Sequence, residues 1–469
     1  MTAPLFQRQS TGGVVARDGF DYQDAFLLQH IPLYLSQGAF SHAVSELLGD
    51  VEVRYHRPQG GTYCVLFEAK RNQLTKNDFW AEVARFLELN REAPDEYVRF
   101  VLVCGDFNGD FDPLFRKLER YRGPAESLNS DSNIRSSAEA DIEATILGLG
   151  QTAAVARFVL ERVSFAKYSD ADVAGAFASM VTTHLPTMAD MRVGEVAAYR
   201  GRCKELVDGS MKGLVSRQSL ETALVESAPD LAPTWLGSAT HVRLLPEAPI
   251  KFEELALDVG PFNGDARGTL GVGRWAELQA QLAAAGQFIL ASRNRRGVQL
   301  SAKQRMSLAC TVGYCLSATR GFTLQMDHNG HVLNTMSHAR SSERFFDPDL
   351  SEDVPKTVGD EGVVSISFPF PGKDDVLAAA RALGLAAAPM AFLASGGALT
   401  DIGVLNTAIS EAKATLVAFR SRHQLSRVHL FIKAPSVFAM ALGHRLNGIG
   451  VVKLYDWVDV AYQPTAELH

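Results

Sequence analysis

The C-terminal half of the chain alternates between short apolar runs and helical patterns, which restricts the fold more than any other feature. The apolar runs, which indicate strands, are GQFILAS, GFTLQMDH, VVSISFPF, APMAFLAS, VHLFIKAP and VVKLYDWV. Helices are expected from Lys303 to Leu316, from Asp374, from about Ile402 to Arg422, and from Val437 to Leu446. This alternation favours mostly parallel sheets covered by helices, so we expect two fused Rossmann-like halves that meet near residue 360.

The N-terminal part has a different pattern, with a helix near Asp21 followed by an alternating strand pair. DVEVRYH and TYCVLFEAK flank the turn RPQGG and predict a hairpin. A helix capped by Asn77 or Asp78 and the buried strand VRFVLVCG follow. Residues 123–141 are rich in Ser and Asn and predict a linker, while 142–228 have helical patterns throughout. We therefore expect an α/β protein with domains at 1–150, 151–228 (a helical connector belonging to the N-terminal half) and 229–469.

Composition limits the protein class. A chain of 469 residues exceeds what one core usually organises, which favours two or three domains. No apolar run reaches 18 residues and the N-terminus lacks an apolar leader, so we expect neither a membrane span nor a secretory signal. Five scattered cysteines indicate reduced thiols in a cytoplasm rather than a zinc site. The net charge of −7 is unfavourable for a protein that coats DNA permanently.

The predicted hairpin carries acidic and basic residues in a pattern that can hold a metal ion. Side chains two positions apart share one face of a strand, so Glu68 and Lys70 project together, as do Asp50 and Glu52. Adjacent carboxylates bind a hard divalent cation, and a nearby lysine can orient water or stabilise developing charge. By spacing alone, Glu-x-Lys is also an ordinary ion pair of a surface strand. The first acidic ligand could be Asp50 or Glu52.

Two segments of the C-terminal half could bind an anion. Five basic residues and no acid lie between Arg293 and Arg305. In VHLFIKAPSVFAMALGHRL, a strand ends at Lys433, and a tight loop with Pro435 and Ser436 opens a helix. Ligands of open α/β sheets lie beyond the carboxyl ends of the strands, so a nucleotide phosphate is expected there. Solvated arginines and ordinary strand–loop–helix turns would give the same pattern. The sequence contains no dinucleotide or P-loop fingerprint.

The segments GGVVARDGFDYQDAFLL, GDVEV and VLFEAK, within residues 10–105, resemble the PD-(D/E)XK nuclease domain of bacterial anti-phage effectors. GLVSRQSLETAL, at 213–224, resembles the helical tail that often follows this domain. The resemblance implies a restriction-endonuclease-like fold in which Asp50 and Glu68 bind a metal, Mg²⁺ or another divalent cation. It also implies that Lys70 is the catalytic lysine and that Gln23 supports the site. Many relatives carry Gln where Glu68 stands, and for Gln23 and Glu52 a structural role is the alternative.

Residues from about 230 to 469, above all VHLFIKAPSVFAMALGHRLNGIGVVKLYDWV, resemble a SAVED domain, which consists of two fused CARF-like halves. A nuclease joined to SAVED is the architecture of DNA-degrading effectors in CBASS anti-phage defence. The resemblance implies that a cyclic di- or trinucleotide binds the C-terminal half and drives homo-oligomerisation and cleavage of double-stranded DNA. The residues that we expect at the ligand are Lys433, Pro435, Ser436 and Arg293.

Two other functions stay open at this point. A stand-alone restriction-type endonuclease would cut at a specific sequence without a nucleotide, but no helix-turn-helix or zinc module is recognisable. A non-catalytic nucleotide-binding scaffold would not need Asp50, Glu68 and Lys70. The sequence leaves open the ligand's bases, ring size and linkage, the oligomer's stoichiometry, the number of metals and any DNA sequence preference.

Overall fold

A computed structural model describes residues 17–71, 73–106, 112–122, 132–209, 214–245, 251–328, 330–347 and 359–469. The chain divides into two compact units. The first holds the described residues up to Leu236 except Pro58–Gly60, together with Ser292–Asn294, and the second holds the others. Among the described residues, no helix combines the length and apolar character needed to cross a bilayer.

The first unit is built from helices and one sheet. Its elements are α1 (Arg17–Ser36), β1 (Phe40–Ser45), β2 (Val51–His56), β3 (Thr62–Lys70), α2 (Lys76–Glu92), β4 (Tyr97–Cys104), α3 (Asp112–Arg122), α4 (Asn133–Gly148), α5 (Ala153–Arg162), β5 (Val163–Lys167), α6 (Val173–His184), a 3₁₀ turn (Pro186–Met188), α7 (Val193–Gly209), β6 (Leu214–Ser216), α8 (Arg217–Ser227) and α9 (Ala232–Gly237).

The sheet of this unit has the order β5-β4-β3-β2-β1-β6 among the described residues. β2 and β3 pair antiparallel, with Val51 opposite Phe67, which confirms the predicted hairpin. β3, β4 and β5 run parallel, so their carboxyl ends meet at one edge. Because β3 ends at Lys70, the Glu-x-Lys pair lies at this edge.

Helix α2 covers one face of the sheet. Phe79, Val83, Phe86 and Leu89 recur three or four residues apart and are buried, which fixes the helix rotation. The helix is capped by Thr75, whose hydroxyl accepts a hydrogen bond from the amide of Asp78 at 3.3 Å, rather than by Asn77 or Asp78. The buried face of α2, rather than its cap, therefore sets which side chains of the helix are directed at the sheet.

Several predicted elements of the first unit differ in the structure. The predicted linker 123–141 lies partly outside the described residues, and its remainder enters α4, which begins at Asn133. The segment 151–228 is not wholly helical, because β5 and β6 lie within it and pair with β4 and β1. β5 is only five residues long and β6 only three, too short to interrupt a helical pattern visibly.

The second unit contains the remaining elements. They are β7 (Thr240–His241), β8 (Arg243–Leu245), β9 (Ala256–Asp258), α10 (Gly260–Asn263), a 3₁₀ turn (Asp265–Gly268), α11 (Val272–Ser292), β10 (Gly297–Ser301), α12 (Met306–Cys315), a 3₁₀ turn (Ala318–Arg320), β11 (Thr323–His328), β12 (His331–Asn334), β13 (Glu361–Ser367), α13 (Lys373–Ala382), β14 (Met390–Ala394), α14 (Ile402–His423), β15 (Arg427–Lys433), α15 (Ser436–Gly443), β16 (Val451–Val458) and β17 (Ala461–Leu468).

Two larger sheets organise this unit, one on each side of residue 360. Among the described residues their orders are β12-β11-β10-β7 and β14-β13-β15-β16-β17. β10 is parallel to β7 and β11. β13 is parallel to β14 and β15, and β15 is parallel to β16. The expected pair of mostly parallel halves is confirmed.

The apolar run GQFILAS was wrongly predicted to be a strand, because it is the end of α11. Trp275, Leu278, Leu282, Ala285 and Ile289 are buried along this helix at spacings of three and four residues. The run therefore continues an amphipathic helix that begins at Val272, and a short window hides that period. The strand at this position in the order is β10.

Helices α12 and α15 cross at two glycines in the second unit. A Cβ added at Gly313 would lie 1.9 Å from the Met440 carbonyl oxygen, and one added at Gly443 would lie 2.0 Å from the Cys310 carbonyl oxygen. No side chain fits at either position, so backbone meets backbone where the helices cross. Buried residues of both helices, such as Val312 and Leu442, belong to the core that the two halves share.

We predict that Gly313→Ala lowers the free energy of unfolding of the second unit by about 1–3 kcal/mol or more, because the added methyl forces the helices apart. Thermal unfolding followed by circular dichroism measures the loss. Gly273→Ala is the matched control, because a Cβ there has nothing within 4 Å. Equal unfolding temperatures for the two variants would contradict the role of this crossing.

Candidate functional site

The turn before β2 and the end of β3 bring the three predicted catalytic residues together. The backbone amide of Ala69 donates a hydrogen bond of 2.6 Å to Asp50 Oδ2. Ala69 stands between Glu68 and Lys70, whose side chains share the opposite face of the strand from its own. The Asp50 carboxylate is therefore fixed beside the Glu-x-Lys pair by a donor that belongs to the backbone of the same strand.

The Glu68 carboxylate is held by two cations. Lys70 Nζ lies 2.7 Å from Glu68 Oε1, and Arg85, from α2, forms an ion pair with Glu68 Oε2. Lys70 also lies 3.0 Å from Glu82 Oε1, while Arg85 Nε lies 2.9 Å from Glu82 Oε2. Arg85 Nη1 donates to the Leu48 carbonyl at 2.6 Å. This ion-pair cluster is defined by Glu68, Lys70, Glu82 and Arg85.

Sequence reasoning missed Glu82 and Arg85. A signal was available, because both lie on α2 at positions next to the buried residues Val83 and Phe86. Charged residues at the margin of an apolar helix face, directed at a strand that ends in Glu-x-Lys, are candidates for the same site. Without the packing of α2 against β3, nothing in the sequence joins them to Glu68.

The electrostatics of the site favour a bound cation. The pKa of Asp50 is raised to about 7, mainly by burial and to a smaller extent by the neighbouring Glu68 carboxylate. Burial lowers the pKa of Lys70, but Glu68 and Glu82 outweigh it, so the ammonium stays charged with a raised pKa. A buried carboxylate that resists ionisation next to another carboxylate is stabilised when a cation joins the pair.

The donor set fits a hard divalent cation. Asp50 and Glu68 offer carboxylate oxygens, the ligands that Mg²⁺ prefers, and one or two such groups with water and phosphate are typical. The described residues hold no cluster of three or more His, Cys, Asp or Glu side chains that could form a metal cage. Because Mg²⁺ prefers octahedral coordination, two carboxylates would leave positions for water and for a phosphate.

Glu52, the alternative first acid, is engaged elsewhere. It is 0% exposed, its Oε1 accepts from the Leu48 amide at 3.0 Å and its Oε2 accepts from Arg54 Nη2 at 2.6 Å. The Cys64 thiol lies 3.6 Å from the same Oε2. Both oxygens already have partners in a closed interior, which supports Asp50 as the candidate ligand.

Gln23 lies on α1 and contacts the turn that carries Asp50. It is 5% exposed, and its Nε2 donates to Glu46 Oε1 at 2.9 Å. Glu46 has a φ of 58° and its amide donates to the Asp50 carbonyl at 3.0 Å. A positive φ is uncommon for a residue with a side chain, so the hydrogen bond from Gln23 reaches an unusual turn next to Asp50.

Three strand ends of the second unit meet where the ligand was expected. The Phe368 amide donates to the Lys433 carbonyl at 3.0 Å, and the Ser395 amide donates to the Ser367 carbonyl at 3.2 Å. The Lys433 ammonium lies 3.0 Å from both the Pro371 carbonyl and Asp375 Oδ2, with its side chain 43% exposed. This cation is therefore reachable from solvent.

The other predicted ligand residues have more restricted positions. Pro435 precedes the first residue of α15, and the Ser436 hydroxyl donates to the Ala302 carbonyl. Arg293 is 1% exposed, groups with the first unit, and donates to Ser292 Oγ at 2.9 Å and to the Gly38 carbonyl. The structure thus brings Lys433, Pro435 and Ser436 to one loop and places Arg293 in a different unit.

Comparison with known proteins settles the family. Residues 11–187 match the family described as "Cap4, dsDNA endonuclease domain", and residues 281–468 match "SMODS-associated and fused to various effectors sensor domain", or SAVED. The chain is 37% identical over 470 residues to CD-NTase-associated protein 4 of Moraxella osloensis, with all of both chains covered. The chain belongs to the Cap4 family. The corresponding protein of Acinetobacter sp. (strain ATCC 27244 / 9458) is also 37% identical, over 472 residues.

Solved Cap4 structures have the same fold. The Cap4 SAVED/CARF-domain containing receptor of Acinetobacter baumannii with the cyclic trinucleotide 3′3′3′-cAAA is 35% identical, with a TM-score of 0.89 over 97% of this chain and 99% of that one. The Moraxella osloensis receptor has a TM-score of 0.84 at 35% identity, over 97% of this chain and 100% of that one. The expected architecture of a CBASS effector, with an endonuclease domain and a SAVED sensor domain, is confirmed.

We predict that the affinity for a divalent cation falls about tenfold from pH 8 to pH 6, because protons compete with the metal for an Asp50 carboxylate whose pKa is about 7. Isothermal titration with MgCl₂ in the absence of DNA measures the affinity. Asp50→Asn should remove both the binding and its pH dependence. A constant affinity across this range would show that Asp50 is not a ligand.

Proposed function

We propose that a cyclic oligonucleotide bound to the SAVED domain activates this Cap4 endonuclease to cut double-stranded DNA. The observation that carries the catalytic part is the convergence of Asp50, Glu68 and Lys70 at one sheet edge. The sensor part is supported by the accessible Lys433 at the strand ends and by one relative, the Acinetobacter baumannii receptor, solved with two cyclic trinucleotides.

In the proposed chemistry, Asp50 and Glu68 hold a divalent cation, which we infer to be Mg²⁺ because both ligands are carboxylates. A cation held by these two residues would supply an activated water and a positive charge beside the scissile phosphate. Lys70, whose raised pKa keeps it charged, orients the attacking water or stabilises the transition-state charge. Gln23 acts at one remove, through Glu46 and the turn that carries Asp50.

For the sensor we propose that the ligand is a cyclic di- or trinucleotide whose phosphate meets Lys433 and the loop of Pro435 and Ser436. A helix that opens just after a strand presents free backbone N–H groups to an anion. Binding would require Lys433 to exchange Asp375 for the phosphate. Arg293 is left out of the proposed ligand set because its guanidinium is buried and engaged.

We also propose that the ligand activates by assembling homo-oligomers. A protomer of net charge −7 has little non-specific affinity for DNA. The weak attractions of basic residues such as Arg71 and Lys76 for DNA would combine when several nuclease domains act on one duplex. Assembly then increases the affinity for DNA, and the chemistry at each active site is unchanged.

We place the proposed sensor domain at residues 229–469 and the nuclease half before it, close to the division of the units at Leu236. We further propose that the protein acts in the cytoplasm. The five cysteines are free and buried in the structure, which suits a reducing compartment.

The proposal predicts that purified protein with plasmid DNA and MgCl₂ degrades the plasmid only when an activating cyclic oligonucleotide is added, with no fixed fragment pattern. A panel of cyclic di- and trinucleotides identifies the activator on an agarose gel. Lys70→Ala should lower cleavage by at least about 100-fold yet retain nucleotide binding. Ligand-free cleavage at the ligand-bound rate, or discrete restriction fragments, would refute the proposal.

Lys433→Ala should weaken binding of the activating nucleotide by about 10- to 100-fold, because a charge-assisted hydrogen bond to phosphate is lost. Fluorescence polarisation with a labelled activator measures the affinity. Arg381→Ala, an exposed cation in the last turn of α13, is the matched control and should bind as the unmodified protein does. Equal affinity of the Lys433 variant would remove this residue from the ligand site.

A further inference from the structure

Glu68, the proposed metal ligand, has both carboxylate oxygens engaged by cations of the protein itself. Lys70 is on one oxygen and Arg85 is on the other. The Glu68 and Arg85 side chains are only 10% and 18% exposed, so solvent screens their interaction weakly. Lys70 is already assigned to the reaction, whereas Arg85 has no assigned role.

Arg85 is held in place by more than its ion pair with Glu68. The guanidinium also donates to the Leu48 carbonyl at 2.6 Å, in the turn that leads to Asp50, and pairs with Glu82 at 2.9 Å. The residue after it, Phe86, is fully buried in the core and stacks on Phe100. The helix therefore holds this guanidinium in a fixed position against Glu68, unlike a mobile cation on the protein surface.

We propose that Arg85 is a positioning residue whose positive charge stabilises Glu68 as a divalent cation would. Arg85 thereby competes with the metal and sets how tightly the site binds it. The inference rests on the proposed metal role of Asp50 and Glu68. Arg85 compensates the charge of Glu68 and so keeps the carboxylates of Asp50 and Glu68 together. A divalent cation that joins Asp50 and Glu68 then meets a fixed positive charge, which weakens its binding.

Glu82 gives Arg85 an alternative partner. Because Arg85 contacts Glu68 through Nη2 and Glu82 through Nε, it can release Glu68 to the metal and retain Glu82 and the Leu48 carbonyl. The exchange moves one hydrogen bond and leaves no buried charge without a partner. The site can thus take up metal without a movement of α2.

The test is a metal titration of the full-length protein in the absence of DNA, so that cleavage does not enter the readout. Arg85→Gln removes the charge while keeping a hydrogen-bond donor, and should bind Mg²⁺ about tenfold more tightly than the unmodified protein. Arg85→Lys keeps a charge but cannot span Glu68, Glu82 and the Leu48 carbonyl together, and should bind about threefold more tightly. Arg91→Gln, an exposed cation at the end of the same helix, should leave the affinity unchanged.

A second readout separates this role from a purely structural one. Without metal, Arg85→Gln should lower the unfolding temperature, since Glu68 and Glu82 lose one of their two cationic partners and keep only Lys70. Saturating Mg²⁺ should then raise the unfolding temperature of the variant by more than it raises that of the unmodified protein. Equal or weaker Mg²⁺ binding by the Gln variant would overturn the inference. Should that variant fail to fold, equal or weaker binding by Arg85→Lys would do the same. If the unmodified protein and Asp50→Asn bind Mg²⁺ equally, the proposed metal site itself fails.

Discussion

The hydrogen bond from the Ala69 amide to Asp50 Oδ2 is the contact on which the catalytic half of this protein depends. It joins the turn before one strand to the end of the next, and so sets an aspartate against a Glu-x-Lys pair. Burying two carboxylates together is unfavourable, and the raised pKa of Asp50 is the result of that burial and of Glu68. The protein offsets this cost with the cationic side chains of Lys70 and Arg85.

Much of this arrangement can be predicted from the sequence because the hairpin is local. Alternation and the turn at Gly60 and Gly61, both with positive φ, define the two strands, and the period of two then places Glu68 and Lys70 on one face. Glu82 and Arg85 could not be placed in the same way. Their contact with Glu68 is set by how α2 packs on the sheet, which is a tertiary property.

The errors have a common physical origin, since each concerns a short segment whose state depends on its surroundings. The run GQFILAS is apolar enough for a strand, but the period of α11 extends into it from Trp275. Strands β5 and β6 are short and gain their stability from pairing with β4 and β1. Apart from these errors, the burial of Arg293 is a feature that a cluster of basic residues does not reveal, because solvated and buried arginines look identical in sequence.

The central claim is that Asp50 and Glu68 together hold one divalent cation, and a crystal grown with MnCl₂ tests it most directly. The anomalous difference map should contain a peak between the two carboxylates, at about 2.0–2.3 Å from an oxygen of each. The same map from Asp50→Asn crystals should lack it. A protein that cleaves DNA with its only manganese bound away from both residues would contradict the account.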